Sequence, residues 1–286
     1  MVLAVESKYC RPRGGEHFIW RKCCNSHWVT SNAKSGRGGL EGEPDSLPPN
    51  MRDIWLNPTR TSNWDSDPLS GNPLRGDQVD LLLSLIADHY TPGSTILDIG
   101  SGSGLVEEQL FQRLPEALVV GVDYSPAMIS MAAKRLAGKE KQFVTVQHDL
   151  CNIQAARLPE RDYRIAFSVQ TIHNLPPKRQ RNVMSWVYKV LAKPGFFFSL
   201  DRIAVPGADS FSCYQSVWKR QERVYSSSID EGRSFPEHQH YLDEQGDSPL
   251  TLQENLKIIA NAGFQASALD VRGNRALIAC VKTKGR

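Results

Sequence analysis

One feature constrains this chain more than any other: an apolar run, Ile96-Leu97-Asp98-Ile99, that stops at three evenly spaced glycines, Gly100-Ser101-Gly102-Ser103-Gly104. The branched residues read as a buried strand. The glycines read as a tight turn, because a residue without a Cβ takes positive φ and lets a ligand approach the backbone. Leu105 to Leu114 continues as a helix, apolar at Leu105, Leu110, Phe111 and Leu114 and polar at Glu107, Glu108, Gln109 and Arg113. Strand, glycine turn and helix make the first half of a nucleotide-binding α/β unit.

The spacing separates two classes of ligand. A dinucleotide fingerprint, G-x-G-x-x-G, requires glycine at 105 or 107, counted from Gly100 or Gly102, and seats a pyrophosphate on the helix N-terminus. This chain has Leu105 and Glu107 there. Glu107 and Glu108 in the first helical turn suit the helix dipole but repel a phosphate, and Asp98 is a further anion facing the turn. A ligand with a cationic amino end and no phosphate fits better. S-adenosylmethionine is such a molecule.

The stretch resembles motif I of the class I S-adenosylmethionine-dependent methyltransferases, and later segments follow that family's order over roughly residues 73–282. An acid ends the next strand, Val119-Val120-Gly121-Val122-Asp123, and Tyr124-Ser125-Pro126 opens a helix containing Met128. Gln147-His148-Asp149-Leu150 closes a third strand. Gln170-Thr171-Ile172-His173-Asn174-Leu175-Pro176 is similar to the His-His-Leu-Pro segment of many small-molecule methyltransferases, with Asn174 in place of the second histidine. Lys193-Pro194-Gly195 turning into Phe196–Leu200, and a closing hairpin, complete the likeness.

The resemblance implies S-adenosylmethionine as cofactor and a set of residues to hold it. Asp98 and the turn of Gly100, Ser101, Gly102 and Gly104 would meet the methionyl end. Asp123 would take the ribose hydroxyls, since a carboxylate accepts two hydrogen bonds from a cis-diol. Met128 and Asp149 would flank the adenine, with the Leu150 amide on a ring nitrogen, and Tyr124, Ser168 and Gln170 complete the cofactor-binding set. His173, after the fourth strand and beside the turn, is the candidate catalytic base; packing the loop is its alternative role.

The 40% hydrophobic content supports a substantial core, and no apolar run approaches the ~20 residues of a membrane helix or forms a secretory signal. No membrane association and a cytoplasmic location are therefore expected. The six cysteines, at 10, 23, 24, 151, 213 and 280, have no paired C-x-x-C spacing and imply no disulfide framework. Net charge is +3, but residues 1–50 hold seven Lys or Arg against five Asp or Glu, leaving a nearly neutral remainder. Nucleic-acid binders usually carry a basic surplus, so a small molecule is the expected partner.

Residues 1–50 carry glycine pairs and the Pro-rich cluster Glu43–Pro49 without sustained periodicity, which predicts disorder. Cys10, His17, Cys23, Cys24 and His27 match no familiar zinc spacing, and no metal site is expected. Residues 51–72 read as an irregular arm packed on the domain, and 73–286 as the methyltransferase domain. Within that domain the pattern predicts helices over 73–90, 126–137 and 179–191, strands over 117–122, 143–147 and 164–169, and a long excursion over 206–250 that serves as a lid. Thr251-Leu252-Gln253-Glu254 reads as a capping box for a helix ending at Gly263. Strands at 266–271 and 276–281 follow.

The predicted fold is thus α/β: a Rossmann-like, seven-stranded, mostly parallel sheet with one antiparallel strand from a C-terminal hairpin, helices on both faces and a helical lid insertion. The predicted function is methyl transfer from S-adenosylmethionine to a small-molecule acceptor. An RNA methyltransferase and a non-catalytic cofactor-binding regulator are the alternatives. From the lid, His238, His240 and Tyr241 are further candidates to supply a base, and Arg75 or Gln78 could reach the ligand from the first helix.

Overall fold

β1 (Thr95–Ile99) is buried along its whole length, as expected for a strand covered on both faces and rich in branched residues. A computed structural model of the chain describes residues 55–66, 73–225, 229 and 232–283. The expected disorder of 1–50 and the cysteine and histidine group within it lie outside the described residues. Around β1 stand β2 (Leu118–Asp123), β3 (Phe143–Gln147), β4 (Tyr163–Val169), β5 (Gly195–Arg202), β6 (Gln265–Arg272) and β7 (Arg275–Lys282). They form one sheet in the order β3-β2-β1-β4-β5-β7-β6.

β1 pairs in parallel with β2 on one side and β4 on the other, so Ile96 lies between Val119 and Ile165. The order therefore reverses at β1, and the crevice at the carboxyl ends of β1 and β4 is the topological switch point where open α/β sheets bind ligands. β7 runs antiparallel to both β5 and β6. Six parallel strands and one antiparallel strand result, as the closing hairpin implied.

The strand alternation divides the core into two layers. Leu97, Ile99, Val120 and Val122 pack with Val183, Trp186 and Val187 of α5 (Pro177–Val190) and Ile258 and Ile259 of α8 (Leu252–Ala262). Ile96, Val119, Ile165 and Phe167 pack with Val79, Leu82, Leu83 and Ile86 of α2 (Pro73–His89) and Leu110 and Phe111 of α3 (Leu105–Arg113). Asp98 shares its face with Ile96, so its carboxyl points toward the layer that holds α3.

Helix ends follow local chemistry. Thr251 and Glu254 make the reciprocal capping box at the start of α8, and Gly263 ends it at φ 111°. α5 begins at Pro177, before the expected residue 179, because proline is preorganised for the first helical position. α4 (Pro126–Arg135) stops two residues short of expectation; Ser125 caps it by accepting the Met128 amide at 3.3 Å. The 206–250 excursion is two helices, α6 (Ala208–Tyr225) and α7 (Phe235–Glu244). Trp218, Ile229 and Phe235 make a satellite core with Leu74 of α2.

The arm expected to be irregular contains a helix, α1 (Pro58–Ser66). Patterning missed it because contacts with the domain hold it, not an apolar stripe of its own. Arg135 of α4 pairs with Asp65 at 2.7 Å and donates to the Ser103 carbonyl at 2.6 Å, and Ser103 also bonds Asp65. Just before α1, the Trp55 carbonyl accepts from Ser125 Oγ at 2.6 Å. The arm is thereby tied to the glycine turn and to α4. Asp65→Ala is expected to lower stability by about 1 to 2 kcal/mol, moderated by Glu108 standing 3.6 Å from Arg135. A thermal melt unchanged from the parent would show that the cluster does not hold the arm.

Candidate functional site

The turn after β1 is fixed from three sides. Gly100 and Ser101 donate their amides to the Val122 carbonyl of β2 at 2.7 and 3.3 Å, and Thr171 Oγ1 donates to the Gly100 carbonyl at 3.3 Å from the end of β4. Gly100, Gly102 and Gly104 all have positive φ, at 83°, 54° and 76°. A Cβ on Gly100 would overlap Thr171, whereas one on Gly102 would meet nothing within 4 Å. The Gly102 backbone is therefore the open face of the turn, where a ligand can lie against the chain.

Asp123 ends β2 and clamps the turn. Its Oδ2 accepts the Gly102 amide and its Oδ1 the Ser125 amide, both at 2.8 Å. Each oxygen keeps a second lone pair for a ligand hydroxyl. Burial pushes the Asp123 carboxyl above its usual pKa, and the amides of Ser125, Gly102 and Tyr124 oppose that shift. Further along the carboxyl edge, Met128 is buried, and the His148 amide donates to the Asp123 carbonyl at 2.9 Å. Asp149 caps the following 3-10 turn by accepting the Cys151 amide at 2.8 Å, and it brings buried Leu150 to this edge. Tyr124 is half-buried, and its carbonyl accepts from Gln147 Nε2 at 3.3 Å.

Asp98 and Glu107 form a pair of buried acids. They lie within hydrogen-bonding contact of each other, and outside that contact no other side chain donates to Asp98 Oδ1 or to either Glu107 carboxyl oxygen. Asp98 is held well above the usual carboxylate range, first by burial and then by Glu107 beside it; Glu107 is raised too, again chiefly by burial. Such groups hold protons that the unfolded chain would release, so their contribution to stability is present at acid pH and lost as pH rises through the raised values. Glu107→Gln is therefore expected to raise stability at mildly alkaline pH by on the order of 1 kcal/mol, read as a higher melting temperature, with the gain vanishing toward acid pH. A variant less stable than the parent at both ends would contradict a proton-holding pair.

The helix pattern counts Glu107 among the polar residues of α3, whereas the structure buries it. Its signal lay in the spacing: 107, 110, 111 and 114 form the i, i+3, i+4, i+7 stripe of α3, with Glu107 on the buried side. Ser101 Oγ is likewise buried without a partner. Gln170, at the carboxyl end of β4, is the only non-glycine residue with positive φ among the described residues, at 52°. Its amide donates to Leu200 at 2.9 Å, while its side-chain Nε2 is buried without an acceptor. Ser168 is fully buried, and its hydroxyl donates to the Ile99 carbonyl at 2.8 Å, bracing β1 from β4.

His173 stands between two carboxylates. Asp201, at the end of β5, bonds Nδ1 with one oxygen and accepts the His173 amide at 2.9 Å with the other. Nε2 lies 3.5 Å from Asp247 Oδ2, and Asp247 pairs with Arg202. The segment following α7 is pinned here: the Ser248 amide donates to the His173 carbonyl at 2.7 Å, and Gln180 Nε2 donates to the Ser248 carbonyl at 2.7 Å. Asp201 and Arg202 thus serve different partners instead of pairing with each other through their side chains.

The further candidates from the 206–250 excursion and from α2 are placed differently. His238 is fully buried, packs on Trp218 with ring centroids 4.8 Å apart, and has Nε2 3.3 Å from Asn274. His240 is exposed and paired with Glu244 at 3.3 Å. Tyr241 lies under Arg233 at 4.2 Å. Gln78 donates to Asp270 of β6 at 2.9 Å. Among the described residues, no helix is long and apolar enough to cross a membrane, and no group of three or more His, Cys, Asp or Glu is placed to hold a metal ion.

Comparison with known proteins agrees with this geometry. Residues 96–195 match the family described as a methyltransferase domain. The carboxy-S-adenosyl-L-methionine synthase of Nautilia profundicola is 21% identical over 202 residues, 69% of this chain and 79% of its own length. The arsenite methyltransferase of Halobacterium salinarum is 34% identical over 105 residues, 36% of this chain and 26% of that protein. The demethylmenaquinone methyltransferase of Symbiobacterium thermophilum is 28% identical over 118 residues, 40% and 44%. This chain therefore spans less than half the length of the latter two relatives.

Among solved structures, PigF with S-adenosylhomocysteine has a TM-score of 0.55 at 17% identity, covering 83% of this chain and 63% of that one. An O-methyltransferase family protein from Burkholderia thailandensis has 0.51 at 12%, covering 83% and 68%. At these identities the likeness concerns the fold. Residues 96–195 thus carry a methyltransferase domain, and the glycine turn, the acid ending β2 and the strand order around it are those that the resemblance to class I S-adenosylmethionine-dependent methyltransferases implied.

Proposed function

We propose that this protein transfers the methyl group of S-adenosylmethionine to a small-molecule acceptor. The carrying observation is that residues at and just beyond the carboxyl ends of β1 and β4 hold orphaned buried polar atoms: Asp98 Oδ1, Ser101 Oγ and Gln170 Nε2. Buried polar atoms without partners are rare in folded proteins and mark places where a polar ligand completes the structure. When bound, the cofactor supplies a sulfonium-activated methyl group, so the protein's work is alignment, exclusion of water and, where needed, removal of a proton.

In this reading the Gly102 backbone and Asp98 receive the methionyl end, Asp123 the ribose hydroxyls, and Met128, Asp149 and Leu150 the adenine side, with Tyr124 beside them. Ser168 braces the turn. Gln170, held in a strained conformation at the edge of β4, presents an amide donor to the reaction chamber. His173 is the proton acceptor. Asp201 holds Nδ1 as the protonated nitrogen, which leaves Nε2 as the one able to take a proton, and Asp247 at 3.5 Å is too distant to bond it strongly.

A small acceptor is favoured by the nearly neutral body of the chain and by the lid helices beside this edge. The test is incubation with methyl-labelled cofactor and a cell extract separated by size. Label in the low-molecular-mass fraction supports the proposal. Label confined to RNA or protein contradicts it, and no transfer at all, with binding intact, leaves a cofactor-binding regulator. Once an acceptor is known, His173→Ala is expected to lower turnover at least tenfold without changing cofactor affinity, whereas His240→Ala leaves both unchanged. Unchanged turnover in the first variant removes His173 from the chemistry.

A further inference from the structure

Glu107 is a buried acid for which methyl transfer needs no role. α3 turns it inward one turn before Leu110 and Phe111, onto the face of β1 where Asp98 points. The charged groups facing it from the surrounding elements are Asp98 of β1, Asp123 of β2 and Arg135 of α4. Asp123 is engaged by two backbone amides, and Arg135 by Asp65, Ser103 and Glu108. No protein cation bonds the Asp98 and Glu107 oxygens left without donors. Two carboxylates side by side in a dry site do not both ionise; they share a proton.

We propose that Asp98 and Glu107 together form a paired-carboxyl receptor for the cofactor's α-ammonium group, and that docking of the ammonium expels the pair's shared proton to solvent. The inference rests on the cofactor reading above and adds Glu107 and the coupled proton to it. The exchange is balanced: one O–H bond of the pair ionises, the proton passes to buffer, the ammonium keeps its own protons, and the pair gains one negative charge opposite one positive charge. A site for the ammonium built from one ionised acid would bind with no proton exchange.

The test is calorimetric titration of the unmodified protein with S-adenosylhomocysteine near neutral pH, in buffers of differing ionisation enthalpy. The proposal gives release of close to one proton per cofactor, and an affinity that rises up to about tenfold per pH unit until the pair is ionised in the free protein. 5′-Methylthioadenosine, which shares the adenosine and sulfur but has no α-amino group, should release none. Glu107→Gln should lower the proton count and flatten the pH dependence. Binding of S-adenosylhomocysteine without proton release, equal release by both ligands, or an unchanged count in Glu107→Gln each overturns this inference while leaving the cofactor reading intact. Absence of any binding overturns both.

Discussion

Asp123→Ala should weaken S-adenosylmethionine and S-adenosylhomocysteine to a similar extent, by about 3 kcal/mol or a hundredfold. Two losses combine. The ribose loses its charged acceptor, and the Gly102 and Ser125 amides, which reach Asp123 at 2.8 Å, lose the group that fixes the open face of the turn. Asp123→Asn keeps an acceptor oxygen for one of those contacts and should lose less. Equilibrium binding of both ligands checks this, and a variant with parental affinity would show that the carboxylate does not touch the ligand.

A second large effect is expected away from the glycine turn. Asp247→Ala strips the buried partner from Arg202, whose side chain is only 13% exposed, and opens the contact to His173. Removing one member of a buried ion pair typically costs about 3 kcal/mol, because the other charge is left uncompensated. For a domain of this size that corresponds to a fall in melting temperature of roughly 9 °C. The double variant Asp247→Ala with Arg202→Leu should recover much of the loss, since deleting both charges is often nearly neutral. A double variant as unstable as the single one would place the cost in the segment's backbone contacts instead of its charges.

The strands and the glycine turn were legible in the sequence for a physical reason. Buried parallel strands must be continuously apolar, and a turn that admits a ligand must be glycine-rich, so Ile96–Gly104 and Val119–Asp123 state their roles locally. The burial of Glu107 was not legible because it depends on which side of α3 faces β1, and two adjacent glutamates look alike until that face is known. α1 was missed because Asp65 finds Arg135 and Ser103, residues about 40 to 70 positions away in the chain. The same holds for Asp201, which reaches His173 from the end of β5, and for Asp247, which the segment following α7 brings there. Contacts across the fold leave no period in a sequence.

The chemistry of the site turns on a ligand with an amino end and no phosphate, in place of a dinucleotide. Glu107 and Glu108 stand in the first turn of α3, where a pyrophosphate would otherwise be seated. Equilibrium dialysis of the full chain against methyl-labelled S-adenosylmethionine, chased separately with S-adenosylhomocysteine and with NAD, tests this directly. The expected result is saturable binding at one site per chain, displaced by S-adenosylhomocysteine and unaffected by NAD. Retention of NAD, with no retention of S-adenosylmethionine, would contradict it.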